Sequence, residues 1–266
     1  MKKLTCKLNV YYVIALLLPL TVSCSNNINK MSIIPASSCQ MIMVLTDSPQ
    51  ASNGVLYYFQ LDRNKPRWRL AKGQIPVLIG KNGLGWSTGL NDIANTLNYP
   101  IKKEGDGRSP AGVFHLNSVF GYKPADQMTK LKMPYLHLTQ MTECIDDPNS
   151  RYYNQIISRN KIAETNQVDW KSSEKMSQMG QCYELGVVVD YNHDPIKHGA
   201  GSCIFLHNWQ NQHNTTAGCT AMAPEEMKEI VNWLDNTKDP VFVLLTKQLY
   251  WDLMNKCNLP KTEFMD

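Results

Sequence analysis

The sequence carries little net charge. Its 27 Lys and Arg residues against 23 Asp and Glu leave a formal charge of +4, and setting aside Lys2, Lys3 and Lys7 at the extreme N-terminus leaves +1 (4 − 3). No basic field remains of the kind that gathers nucleic acid, so that class of partner is not expected. None of the eight cysteines forms a CxxC pair, which removes the usual spacing of a structural zinc site. After residue 24 no apolar run approaches the roughly 20 residues that cross a bilayer core. Internal repeats and low-complexity tracts are also missing, which argues against a repeat array. What is present is a globular composition: 43% hydrophobic and 19% charged residues in a chain of 266, enough for one sizeable domain.

The first 24 residues read as an export signal. Lys2, Lys3 and Lys7 supply a positive start, Val10–Val22 an apolar run broken only by Pro19 and Thr21, and Ser23, Cys24 and Ser25 the small residues that suit cleavage. The apolar run is too short for a transmembrane anchor. Leu20-Thr21-Val22-Ser23-Cys24 also resembles a lipobox, with Thr21 where an aliphatic residue is usual, so a lipid anchor on Cys24 stays open beside a plain cleaved signal. The expected layout is a signal over 1–24, a polar tether over 25–39 and a single domain over 40–266, exported to the cell envelope. Outside the cytoplasm disulfides persist. If one of Cys39, Cys144, Cys182, Cys203, Cys219 and Cys257 stays free, at most two bridges form, and spacing does not fix the pairing. Cys144 and Cys203 are read as a bridge or as buried thiols.

Strand patterns dominate the first half. Gln40–Thr46, Val55–Gln60, Arg67–Leu70, Ile75–Gly80 and Gly112–Leu116 are short and rich in aliphatic or aromatic residues. Asn53-Gly54 reads as a two-residue hairpin turn and Lys72-Gly73 as a break. Residues 121–180 read as a long polar loop region with short helices, the kind of segment that carries function. Order returns at Glu184–Asp190 and Cys203–Trp209. A helix is predicted from Pro224, with Glu225 and Glu226 at its positive end and Met227, Ile230, Val231 and Leu234 on one face. Pro240–Thr246 is a late strand and Lys247–Lys256 a terminal helix. The fold class expected is α+β, β-rich, with late helices in one domain.

One stretch concentrates reactive groups: Gly199–Met222, GAGSCIFLHNWQNQHNTTAGCTAM. His207 lies near the end of an apolar strand, and Cys219 follows Gly218 in a turn of small residues. A thiol becomes a strong nucleophile only as thiolate, and a nearby imidazole can take its proton. A glycine before the nucleophile allows a tight turn and lets the amides of Gly218, Cys219 or Thr220 face a developing oxyanion. The plainer alternative is a core cysteine and an unrelated histidine, since free cysteine is among the most buried residue types. Upstream, Gly105-Asp106-Gly107-Arg108-Ser109-Pro110-Ala111-Gly112-Val113-Phe114 runs into a strand.

Together these two stretches resemble the catalytic domain of YkuD-type L,D-transpeptidases, across roughly residues 40–246. That family carries a GDG-[KR]-[ST]-P-x-G-x-F segment and a His followed by a short Ser/Thr-x-Gly-Cys motif. The resemblance implies a β-rich catalytic fold, His207 as proton acceptor and donor, Thr216 and Gly218 in the turn, Cys219 as nucleophile, and peptidoglycan stem peptides as substrate, with no cofactor or metal. Departures are visible. Asn208 follows the base where glycine is common, Ala217 replaces a His or Arg, Thr220-Ala221-Met222 lacks the usual aliphatic residue with Arg or Asn, and the His-to-Cys gap is short. No Arg occurs after Cys219, so recognition of a substrate carboxylate falls to Arg108, Arg151 or Arg159, with Arg151 preferred for its polar, aromatic setting.

The remaining histidines carry less. His213 reads as a flexible tip, His193 and His198 flank Asp194 without a third metal ligand, and His115 and His137 read as structural. Two other functions stay open: an L,D-carboxypeptidase in which water resolves the thioester, and a non-catalytic peptidoglycan-binding protein with a degenerate site. Oligomeric state is not legible.

Overall fold

The computed structural model describes residues 33–62, 64, 67–86, 99–163, 168–254, 257 and 259–261. The expected signal over 1–24, Cys24 and most of the tether lie outside them. The described residues form thirteen strands: β1 (Gln40–Thr46), β2 (Asn53–Asp62), β3 (Arg67–Leu78), β4 (Leu84–Trp86), β5 (Ser109–Gly121), β6 (Tyr135–His137), β7 (Thr142–Cys144), β8 (Ile156–Ser158), β9 (Glu174–Lys175), β10 (Leu185–Val189), β11 (Phe205–Asn208), β12 (Thr220–Met222) and β13 (Val241–Thr246). Three helices join them: α1 (Arg159–Ala163), α2 (Pro224–Trp233) and α3 (Lys247–Met254).

The large sheet runs β10-β11-β12-β3-β2-β1-β13-β5, and β5 pairs back to β10, closing a ring of eight strands. β4 and β6 add to β5. β1 lies between β2 and β13, and all seven of its residues are buried, which accounts for its unbroken apolar run. α2 starts at Pro224 and buries Met227, Ile230 and Val231, as its 3.6-residue spacing requires. Each such burial stabilises the fold by roughly 2 kcal/mol before ordering costs. The expected α+β, β-rich single domain is what forms.

Three local expectations are corrected. Asn53 and Gly54 are not a turn: they open β2, facing Leu78 and Val77 of β3, and the β1–β2 connection runs over 47–52. Gly54 is required because a Cβ there would lie 2.8 Å from the Leu45 carbonyl oxygen. Lys72-Gly73 does not end a strand. It lies inside β3, where the register steps between Leu56 and Tyr58 and Gln74 takes φ 63°, a bulge rather than a break. The 121–180 stretch is more ordered than a loop. It holds β6 and a separate three-stranded sheet, β8-β7-β9.

That small sheet covers one side of the large one. Between them lies a second apolar cluster, distinct from the main core, of Phe120, Leu138, Cys144, Met176, Tyr183, Cys203, Phe205 and Cys219. A disulfide joins Cys144, at the end of β7, to Cys203, two residues before β11. Glu143, beside it, is buried and receives hydrogen bonds from Arg159, Trp170 and Ser173 and an ion pair from Lys175.

Candidate active site

β11 and β12 run parallel, with Leu206 opposite Thr220 and His207 opposite Ala221. Paired residues of adjacent strands point to the same face, and alternate residues share a face. Leu206 therefore turns with Thr220 into the main core. Phe205 and His207, with Cys219 one step before the strand, turn to the other side. Thiol and imidazole thus share one face. The Phe205 backbone N–H donates to Cys219 Sγ at 3.3 Å, and the thiol donates to the Cys203 carbonyl at 3.4 Å. Cys219 forms no disulfide.

The turn before Cys219 is fastened to the end of β3. Thr216 bridges to Gly80, its N–H donating to the Ile79 carbonyl and its own carbonyl accepting from Lys81 N–H. The Thr216 hydroxyl donates to the Cys219 carbonyl at 2.6 Å and accepts from Gly218 N–H at 3.2 Å. The Gly218 amide is thereby occupied and does not face an oxyanion as the sequence suggested. Ser109 grips the same Cys219 carbonyl at 3.4 Å while accepting from Gly80 N–H at 2.8 Å. The two sequence stretches singled out above are thus brought together. Gly218 serves close approach rather than a left-handed turn: a Cβ there would lie 3.0 Å from the Arg108 carbonyl oxygen and 3.2 Å from Ile204 Cδ1. Thr220 is buried within β12 rather than in the turn.

His207 Nδ1 lies 2.7 Å from the Asn208 carbonyl oxygen. A carbonyl only accepts, so Nδ1 carries the proton and Nε2 keeps its lone pair. Burial pushes the imidazole pKa below its ordinary value, against the pull of that hydrogen bond. The ring is therefore neutral at neutral pH and able to accept a proton. Burial drives the Cys219 thiol well above its ordinary pKa, and the charge of Glu174 adds to this; the hydrogen bond from Phe205, the charge of Lys102 and the neighbouring Tyr183 hydroxyl oppose it. The resting pair is thiol and imidazole, not thiolate and imidazolium.

Two residues beside this pair were not legible beforehand. The Tyr183 ring meets His207 edge-on, with centroids 5.3 Å apart, and Phe205 at 5.6 Å. Its hydroxyl donates to Glu174 Oε2 at 2.5 Å. Burial raises the Glu174 carboxyl to about 7, with Asp146 and Glu104 contributing and the Tyr183 hydrogen bond opposing. Glu174 comes from the 121–180 stretch, on β9 of the small sheet, and Tyr183 from the short turn of helix just after it, Gly180–Tyr183.

The arginines proposed for a substrate carboxylate are already engaged. Arg108 donates to the carbonyls of Asn82 and Leu84. Arg151 pairs with Asp169 at 2.9 Å and lies over the Tyr152 ring, more than half exposed. Arg159 pairs with Glu143 at 2.6 Å. His213 is exposed. His193 and His198 go to separate partners, Asp190 and the Pro148 carbonyl, and no His/Cys/Asp/Glu group suited to a metal occurs among the described residues. His115 pairs with Asp239. A cleft of about 560 Å³ opens between residues 123–135 and α2, but it is reached by Asn208, whose side chain faces away from His207.

The sequence of the chain was compared with known families, curated proteins and solved structures. No curated protein and no solved structure matches it. The model of the YkuD family, described as the L,D-transpeptidase catalytic domain, matches residues 50–243, a span that takes in β2 through β12, the start of β13 and every residue of the site just described. The chain belongs to the YkuD family of L,D-transpeptidase catalytic domains.

Proposed function

We propose that the protein is a cysteine-dependent L,D-transpeptidase acting on peptidoglycan stem peptides, with Cys219 as nucleophile and His207 as acid and base. Membership of the family supports catalysis on peptidoglycan. The observation that carries the finer reading is the Cys219 thiol, outside any disulfide, on the same strand face as a neutral imidazole whose Nδ1 is held by the Asn208 carbonyl, leaving Nε2 as the proton acceptor.

In the first step the thiol proton passes to His207 Nε2 and sulfur attacks the carbonyl of the third residue of a tetrapeptide stem. The tetrahedral oxyanion collapses, the C–N bond to the terminal D-alanine breaks, and D-alanine leaves with the proton from His207. A thioester remains on Cys219. An amine of a second stem then attacks it, giving its proton to His207 and restoring the thiol. Because the thiol is buried and uncharged at rest, the thiolate forms only as its proton moves to the imidazole. The positive N-terminal segment, apolar run and small residues of 1–24 support export to the envelope where this substrate lies, with Cys24 a site for a lipid anchor.

The test is incubation with purified muropeptides and mass analysis of the products. Released D-alanine together with dimers joined between the third residues of two stems supports transpeptidation. Released D-alanine with tripeptide stems and no dimer would replace it with L,D-carboxypeptidase activity, and no release at all would leave only a peptidoglycan-binding role.

A further inference from the structure

Cys219 meets a carboxylate that works against it. A negative charge beside a nucleophilic sulfur opposes thiolate formation, yet Glu174 stands there, coupled to the sulfur by its charge and to the Tyr183 hydroxyl by a 2.5 Å hydrogen bond. Tyr183 neighbours both reactive groups: its ring lies against His207, and it packs with Cys219 in the second apolar cluster, where its hydroxyl favours the thiolate. A single hydroxyl proton cannot serve Glu174 and the sulfur at once.

We propose that Glu174 is a positioning residue that decides, through Tyr183, whether the Cys219 sulfur receives a hydrogen bond. This rests on reading Cys219 as the nucleophile. As a carboxylate, Glu174 holds the Tyr183 proton and turns it from the sulfur. As a carboxylic acid it donates its own proton to the Tyr183 oxygen, and the phenolic proton turns to sulfur, and later to the sulfur-bound tetrahedral centre. The change takes one proton from solvent and breaks no covalent bond.

The groups around Glu174 place this change near neutral pH. Asp146, after β7, and Glu104, before β5, both raise its pKa alongside burial, and Tyr183 opposes them, leaving the carboxyl at about 7. Asp146 Oδ1 is buried and has no hydrogen-bond partner among the described residues, so no donor answers that side of the cluster. The ammonium of Lys102 is spent on Asp106 and the Lys103 carbonyl, and that of Lys175 on Glu143. Cys182 and His207 are the other titratable neighbours of Tyr183.

The test needs no peptidoglycan. Alkylation of Cys219 by iodoacetamide is followed by peptide mass spectrometry from pH 6 to pH 9 in wild type, Glu174→Gln, Tyr183→Phe and the double variant. Glutamine keeps the shape and donates its amide N–H to the Tyr183 oxygen at every pH. The half-buried Cys182, read in the same digest, reports whether local packing is intact. The Glu174→Gln to wild-type rate ratio is expected near one at pH 6, rising to roughly tenfold above pH 8, the low end of what one hydrogen bond to a charged group contributes. In the Tyr183→Phe background that ratio collapses towards one. A ratio independent of pH, or an undiminished rise in the Tyr183→Phe background, overturns the proposal, the latter because Glu174 would then act by charge alone. Product analysis with muropeptides tests the enzymatic reading separately, so the two fail independently.

Discussion

Removing the Cys144–Cys203 disulfide frees the small sheet from the strand that carries His207. The bridge spans 59 residues of sequence. Closing a loop of about that length costs the unfolded chain about 14 cal/mol/K, so the bridge stabilises the fold by about 4 kcal/mol at 25 °C on the chain-entropy account. Replacing both cysteines by alanine leaves no odd thiol and is expected to lower unfolding free energy by about that amount and the midpoint temperature by about 10 °C. Urea unfolding followed by fluorescence measures the first and calorimetry the second. The consequence reaches the site, because the Cys203 carbonyl accepts the Cys219 thiol and the small sheet carries Glu174. Acyl transfer in the double variant should therefore fall even at temperatures where it is fully folded. A loss under about 1 kcal/mol, or a thiol count that reductant does not change, would refute the reasoning.

Other outcomes follow from single contacts. His207→Ala is expected to slow acyl transfer by about two to four orders of magnitude through loss of base and acid, while circular dichroism stays unchanged; near wild-type turnover removes His207 from the mechanism. Because burial lowers the His207 pKa, the acid limb of the wild-type rate profile should lie below the ordinary histidine pKa of 6.5, and a limb above it contradicts the neutral-imidazole account. Gly218→Ala pushes a Cβ against the Arg108 carbonyl and Ile204 and should cost roughly 1–3 kcal/mol of stability, with a larger drop in turnover than in melting temperature. Burial raises the Glu143 pKa, but hydrogen bonds from Arg159, Lys175, Ser173 and Trp170 outweigh it and hold the carboxyl at about 2. Its folded pKa lies below its ordinary 4.5, so it stabilises the fold above that pH, and the stability is lost as pH falls from 4.5 towards 2. Glu143→Gln should flatten unfolding free energy across that window.

The elements legible in the sequence were those whose environment matches their periodicity. β1 and β13 carry unbroken apolar runs, Met41–Leu45 and Val241–Leu245, because both faces are covered, and α2 declares itself by Pro224, two glutamates and a buried stripe. The errors came where glycine had two meanings. Gly54 and Gly73 read as turn or break, but in both places the missing side chain makes room for a neighbour, the Leu45 carbonyl and the Tyr57 ring. His207, Cys219 and the Ser109 segment could be singled out because their spacing and order carry the chemistry. Tyr183 and Glu174 could not. Their segment has no hydrophobic period, and a disulfide and a three-stranded sheet, neither fixed by local sequence, fold it over the thiol. The partners of Arg151 and Arg159 were likewise not legible, since Asp169 and Glu143 lie 18 and 16 residues away.

The most direct measurement of the central claim is mass spectrometry of the protein quenched during turnover of a tetrapeptide muropeptide. A stem acyl group lacking its terminal D-alanine should be found as a thioester on the peptide containing Cys219, and be absent from Cys219→Ala. An acyl group on any other residue, or one that persists when Cys219 is replaced, would contradict it.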